Sequence, residues 1–159
     1  MPSRPFFSLA AALLLLPPLD AQPPSAPHAV AVEAGQSLVA RRGAEFQLPL
    51  KVIIRSGHHI NSNAPAEDYL IPTALTWEPG PLTNRGVTYP KAETVQYEFS
   101  PKPLLVYSGT ATLVSRFVVP SGAPRGPATL SGKLRYQACT DKMCLAPRTL
   151  PVSVPVAIE

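Results

Sequence analysis

The chain has 159 residues, 15% of them charged, with a formal net charge of +4, 21 prolines and 2 cysteines. Proline at that density argues against a fold of long helices, because each one removes an amide donor and fixes φ. The basic residues are scattered and the aromatics few, so there is no nucleic-acid surface to read.

Residues 1–21 read as a secretory signal. Arg4 supplies the positive start, Phe6 to Leu16 a short apolar core, and Leu19-Asp20-Ala21 a small-residue cleavage site before Gln22. The apolar run is too short for a bilayer core of ~30 Å and is broken by Pro17-Pro18, which argues against a membrane anchor. No cysteine lies near the cut, so no lipid anchor is expected, and no later stretch is long and apolar enough to span. Residues 22–28 read as a disordered proline-rich lead-in. Residues 29–159 are expected to form one exported domain with a core of its own.

Val30, Val32, Leu38 and Val39 around Gly35 predict two short strands or a bent one. Arg41-Arg42-Gly43 then turns the chain into a clean strand, where Phe46, Leu48, Leu50, Val52 and Ile54 alternate with Gln47, Lys51 and Arg55. Ser56 to Asn63, including His58-His59, reads as a polar loop. Thr73, Leu75 and Trp77 share one parity, and Glu78-Pro79-Gly80-Pro81 is a turn cluster. Gly86 to Pro90 is a short extended piece, and residues 91–108 are the least regular part. Ala111, Leu113, Phe117 and Val119 mark another strand, closed by the turn residues Pro120 to Pro127.

A final hairpin follows. Leu130, Leu134, Tyr136 and Ala138 share one parity, and Leu150, Val152, Val154, Val156 and Ile158 another after it. Seven or eight short strands between Pro/Gly turns predict an all-β, immunoglobulin-like antiparallel β-sandwich. Pro147, Pro151 and Pro155 share one lateral edge, which predicts an edge strand or one with an irregular outer ladder.

Cys139 and Cys144 lie in the hairpin loop at C-x4-C spacing. A disulfide there closes a loop of about six residues and restricts the unfolded chain by only ~2 kcal/mol. A redox pair needs proximity, exposure and reversible opening by thiolate attack. Lys142 between the cysteines, with Arg135 and Arg148 near, favours the thiolate, and Asp141 opposes it. Three readings stand at this point: a redox pair, a structural clip and a metal site. For the last, Cys139, Met143 and Cys144 with His58 or His59 offer soft ligands to copper(I) or zinc. Two adjacent histidines, however, lack the spacing of a metal motif. No Ser/His/Asp set, phosphate-cradling glycine loop or paired-carboxylate cluster stands out, and Glu67-Asp68 reads as loop surface.

The run Tyr136-Gln137-Ala138-Cys139 to Cys144-Leu145-Ala146-Pro147 resembles the Y-Q-x-C…C-x-x-P signature of the N-terminal domain family of the thiol:disulfide interchange protein DsbD. Gly57 to Asn63, Tyr69 to Thr73, and Gly86-Val87 before Tyr89-Pro90 match in the family's order, so the resemblance covers nearly all of the mature chain. It implies an immunoglobulin-like, periplasmic domain that relays reducing equivalents; no cofactor is expected, and nothing in the sequence demands more than a monomer. A thioredoxin-like domain would supply the electrons, and disulfide isomerases and similar thioredoxin-fold proteins would receive them. It also implies that Cys144 forms the mixed disulfide and Cys139 resolves it; Tyr136, Lys142 and His59 are read as supporting residues. A cap loop with a shielding phenylalanine is implied as well, for which Glu98-Phe99 is the best match.

The sequence departs from the family in three places. Four residues separate the cysteines where better-known members have five. Tyr97 stands where an acidic residue is expected before the cap glutamate, and His58-His59 replace aromatics. The chain is also expected to find its reductant in trans, since neither a membrane electron carrier nor a thioredoxin-like domain follows the sandwich. The readings from other classes are a non-catalytic binding module whose disulfide pins the hairpin, and a copper-handling protein.

Overall fold

The computed structural model describes residues 28–35 and 38–159. The expected signal segment and, apart from His28, the proline-rich lead-in lie outside the described residues. Twelve strands follow in order: β1 (Val30–Ala34), β2 (Leu38–Ala40), β3 (Glu45–Ile54), β4 (His59–Asn61), β5 (Ala74–Trp77) and β6 (Thr83–Thr88), then β7 (Glu93–Val95), β8 (Leu104–Tyr107), β9 (Thr110–Val118), β10 (Gly126–Tyr136), β11 (Ala138–Cys139) and β12 (Arg148–Ile158). Four of these, β2, β4, β7 and β11, are only two or three residues long. They account for the excess over the seven or eight strands that alternation predicts.

The strands form three four-stranded sheets, ordered β1-β3-β9-β6, β2-β12-β10-β5 and β11-β4-β8-β7. The first two make the sandwich. Leu48, Leu50, Val52 and Ile54 of β3 and Ala111, Leu113 and Phe117 of β9 are buried, as are Leu130, Leu134 and Tyr136 of β10 and Val152, Val154, Val156 and Ile158 of β12. All belong to one continuous apolar cluster. Period-2 alternation on both layers therefore builds a single core between two inner faces, the immunoglobulin-like arrangement.

Trp77 ties the layers together. Its indole Nε1 donates to Ser115 Oγ at 2.8 Å, and its ring meets Phe117 edge-on with centroids 5.3 Å apart. Ser115 is fully buried on the inner face of β9, and the indole satisfies it. Gly132 makes room for that ring, since a Cβ there would stand 2.8 Å from both the Thr76 carbonyl oxygen and Trp77 Cε3.

The proline-rich last strand is an edge for only part of its length. β12 pairs with β10 from Arg148 to Ile158, and β2 joins its other side in parallel at Val156–Ile158. That contact begins after Pro155, where amide donors become available again.

The polar stretch after β3 departs from its expected loop character. Gly57, at φ 76°, and the His58 N to Arg55 O bond of 3.0 Å make a tight turn. His59, Ile60 and Asn61 then form β4, wholly buried between β11 and β8. Polar side chains can occupy a buried strand when partners satisfy them. Here Asn61 Nδ2 donates to Ile71 O at 3.0 Å and to Gln137 Oε1 at 3.1 Å, and Thr73 Oγ1 donates to Asn61 O at 2.6 Å. A satellite cluster of Leu70, Leu104 and Val106, with Val95 and Tyr97 against it, supports this third sheet.

Candidate redox site

Cys139 ends β11, and its sulfur is bonded to that of Cys144, with the two Cα atoms 3.9 Å apart. The intervening turn is held by its own hydrogen bonds. Thr140 N donates to Met143 O at 2.8 Å, Thr140 Oγ1 accepts from Lys142 N at 3.3 Å and Met143 N at 3.2 Å, and Leu145 N donates to Ala138 O at 2.8 Å. Threonine is suited to this place because its hydroxyl can accept from the backbone just ahead of it. The two cysteines are not equivalent. Cys139 is fully buried, Cys144 is half-buried, and Asp141, Lys142, Met143 and Leu145 around it face solvent.

β4 brings a histidine to the buried cysteine. In the antiparallel β4–β11 ladder Cys139 stands opposite His59, and Ala138 opposite Ile60. Side chains directly opposite in such a ladder have Cβ atoms about 4.5–5.5 Å apart and share a face. His59 is 3% exposed, and its Nε2 is buried with no hydrogen-bond partner. Burial, and to a smaller degree the neighbouring His58, lowers its pKa, so the imidazole is neutral at pH 7.

Two aromatic rings cover this histidine in sequence. Tyr97 stacks on His59 with centroids 4.1 Å and planes 13° apart, and Phe99 stacks on Tyr97 at 5.6 Å and 18°. Burial, then the charge of Glu93, raises the Tyr97 pKa, so the phenol keeps its proton. The segment is a closed turn, with Ser100 N donating to Tyr97 O at 3.1 Å and Gln96 Nε2 to Ser100 O at 2.7 Å. Glu98 and Phe99 occupy its exposed tip, and Phe99 is 37% exposed. Beyond it, Lys102 pairs with Glu67 at 2.8 Å.

Gln137 fastens the cysteine loop to its surroundings. Its Oε1 accepts from Asn61 Nδ2 and, at 3.3 Å, from Ile71 N, while its Nε2 donates to Leu145 O at 3.2 Å. The loop borders a cleft of ≈ 330 Å³, lined by Tyr136, Leu145 and Arg148 among others. Tyr136 is buried, its hydroxyl has no partner, and burial raises its pKa against the opposing pull of Arg148.

The fold thus gathers Cys139, Cys144 and His59, and reaches Phe99 through Tyr97. Lys142 and Glu98 face solvent, and Tyr136 lies in the sandwich core beneath the loop. Met143 is 59% exposed, and among the described residues no three His, Cys, Asp or Glu side chains gather as a metal site. Sequence reasoning missed Tyr97 as the ring on His59, and Gln137 and Asn61 as the tie between loops. The histidine and cysteine loops had no sequence link, yet they form one ladder. The one available signal was Tyr97 itself, an aromatic where an acid was expected.

An immunoglobulin-like sandwich carrying one short-loop disulfide, with one sulfur residue buried and the other accessible, has the form of a thiol–disulfide exchange domain. The comparison with protein families agrees. The model described as thiol:disulfide interchange protein DsbD, N-terminal, matches residues 26–155, and the chain belongs to that family. No curated protein matches the chain. Among solved structures, a cohesin module from a Clostridium perfringens family 33 glycoside hydrolase is 12% identical, with a TM-score of 0.46 over 82% of this chain and 98% of that one. The SrpA adhesin of Streptococcus sanguinis is 14% identical, with a TM-score of 0.33 over 86% of this chain and 61% of that one. Likenesses this distant carry no argument about function.

Proposed function

We propose that the protein is an exported, periplasmic dithiol/disulfide relay between thioredoxin-fold proteins, working as a monomer and without a cofactor. Reduced Cys144 attacks a partner's disulfide as thiolate, a mixed disulfide forms, and Cys139 closes on Cys144 to release the reduced partner. Reversal of the same steps recharges the pair from a thioredoxin-like donor. The turn carrying Glu98 and Phe99 acts as the cap, shielding the pair when idle and moving aside on docking.

The observation that carries this reading is the asymmetry of the pair, Cys139 fully buried and Cys144 half-buried in a turn that its own hydrogen bonds already hold. A bond adding only ~2 kcal/mol to such a turn is weakly justified as a clip. The test is trapping. A Cys139→Ala variant incubated with an oxidised thioredoxin-fold protein is expected to accumulate a mixed disulfide through Cys144. No adduct with several such partners would return the domain to a binding module with a structural disulfide.

A further inference from the structure

We propose that His59 is the proton acceptor for Cys139, taking the thiol proton at Nε2 when Cys139 closes on Cys144. The inference rests on the relay reading above and adds to it the group that makes the buried sulfur reactive.

Cys139 is fully buried, and a thiol in apolar surroundings resists ionisation because the thiolate is desolvated. Its proton therefore needs an acceptor inside the protein. Tyr136, at the end of β10, is also buried with its hydroxyl unpartnered, but burial raises its pKa and the phenol keeps its proton. Tyr97, from the cap turn, is held protonated by burial and by Glu93. Glu93 accepts from Ser108 Oγ at 2.9 and 3.0 Å. Asp141 and Lys142, from the cysteine turn, are exposed, and His58 is half-exposed with Nδ1 3.3 Å from Ser56 O. His59 alone is buried, faces Cys139 across the ladder and has a ring nitrogen, Nε2, without a partner.

That vacancy has a redox explanation. In the disulfide state Cys139 has no proton to offer, so an accepting Nε2 is left without a donor. In the dithiol state the Cys139 S–H supplies one. The lowered basicity of the imidazole keeps it in the neutral, accepting form at neutral pH. The Tyr97 ring lies against its face.

Cys144 thiolate attacks one sulfur of the partner's disulfide, and the other partner sulfur leaves as thiolate and takes a proton from water. The Cys139 proton passes to His59 Nε2, and the Cys139 sulfur attacks Cys144 Sγ. The Cys139–Cys144 bond forms while the Cys144–partner bond breaks. The second partner sulfur leaves with the electron pair and takes the imidazolium proton. Two electrons have moved to the partner, and His59 is neutral again.

The experiment is single-turnover oxidation of the reduced protein by glutathione disulfide, quenched with acid and followed by mass spectrometry. In wild type the Cys144–glutathione adduct should be transient. In His59→Gln its resolution should slow by about a hundredfold or more, the lower end of what general-base groups supply. The wild-type resolution rate should fall as pH drops below the ordinary histidine range, and His59→Gln should lack that limb. Resolution in folded His59→Gln at the wild-type rate would overturn the inference while leaving the relay intact. So would a wild-type profile without the acid limb, a measurement that needs no variant to fold. A reduced wild type inert to glutathione disulfide and to thioredoxin-fold proteins alike would overturn the relay and this inference together.

Discussion

The ring of Tyr97 lies flat on the ring of His59, 4.1 Å between centroids, and His59 in turn stands opposite Cys139. This places Tyr97, rather than Phe99 at the tip of the same turn, against the residue that pairs with the buried Cys139. Tyr97 takes part in two stacks and Phe99 in one. Each stack contributes about 0.5–1.5 kcal/mol beyond the area it buries. Tyr97→Ala should therefore destabilise the fold more than Phe99→Ala. It should also speed reduction of the disulfide by dithiothreitol more. Urea unfolding and timed alkylation of the released thiols check both orders, and equal effects would place the shield elsewhere.

Gln137 makes three side-chain hydrogen bonds that join the cysteine loop to β4 and to Ile71. Its loss leaves partly buried groups without partners, at a cost of about 1–3 kcal/mol. Gln137→Ala should lower the urea midpoint accordingly with an unchanged m-value. Amide exchange at Leu145 and Ile71 should rise in the same variant.

Histidine burial also makes stability depend on pH. The folded-state pKa of His59 lies below its unfolded value of about 6.5. The unfolded chain therefore binds a proton first as pH falls, and the folded state loses ground. The contribution is fully present above pH ~6.5 and is lost as pH falls towards the folded-state pKa. Urea unfolding at pH 7.5 and 5.5 should show wild type weaker at the lower pH. His59→Gln should lose that component of the difference.

Much of the sandwich was legible in the sequence because its long strands alternate cleanly. β3, β9, β10 and β12 each place their apolar parity in one core. β4 was not legible, since His59-Ile60-Asn61 carries no alternation and the partners of the Asn61 amide, Ile71 and Gln137, are distant in sequence. The prolines of β12 correctly marked a weak outer ladder, but parallel docking of β2 beyond Pro155 has no local signal. For the site, the spacing of Cys139 and Cys144 was readable as chemistry. Their neighbours were not, because His59 and Tyr97 reach Cys139 only through ladder register and ring stacking.

The central claim is that the Cys139–Cys144 bond opens and recloses in use. Equilibrating the purified protein against glutathione or dithiothreitol buffers, with the two thiols counted by alkylation and mass spectrometry, gives its reduction potential. The account predicts a value above about −300 mV, within exchange range of thioredoxin-fold proteins at roughly −120 to −270 mV. A value below about −300 mV would mark a bond that stays closed and would contradict the relay.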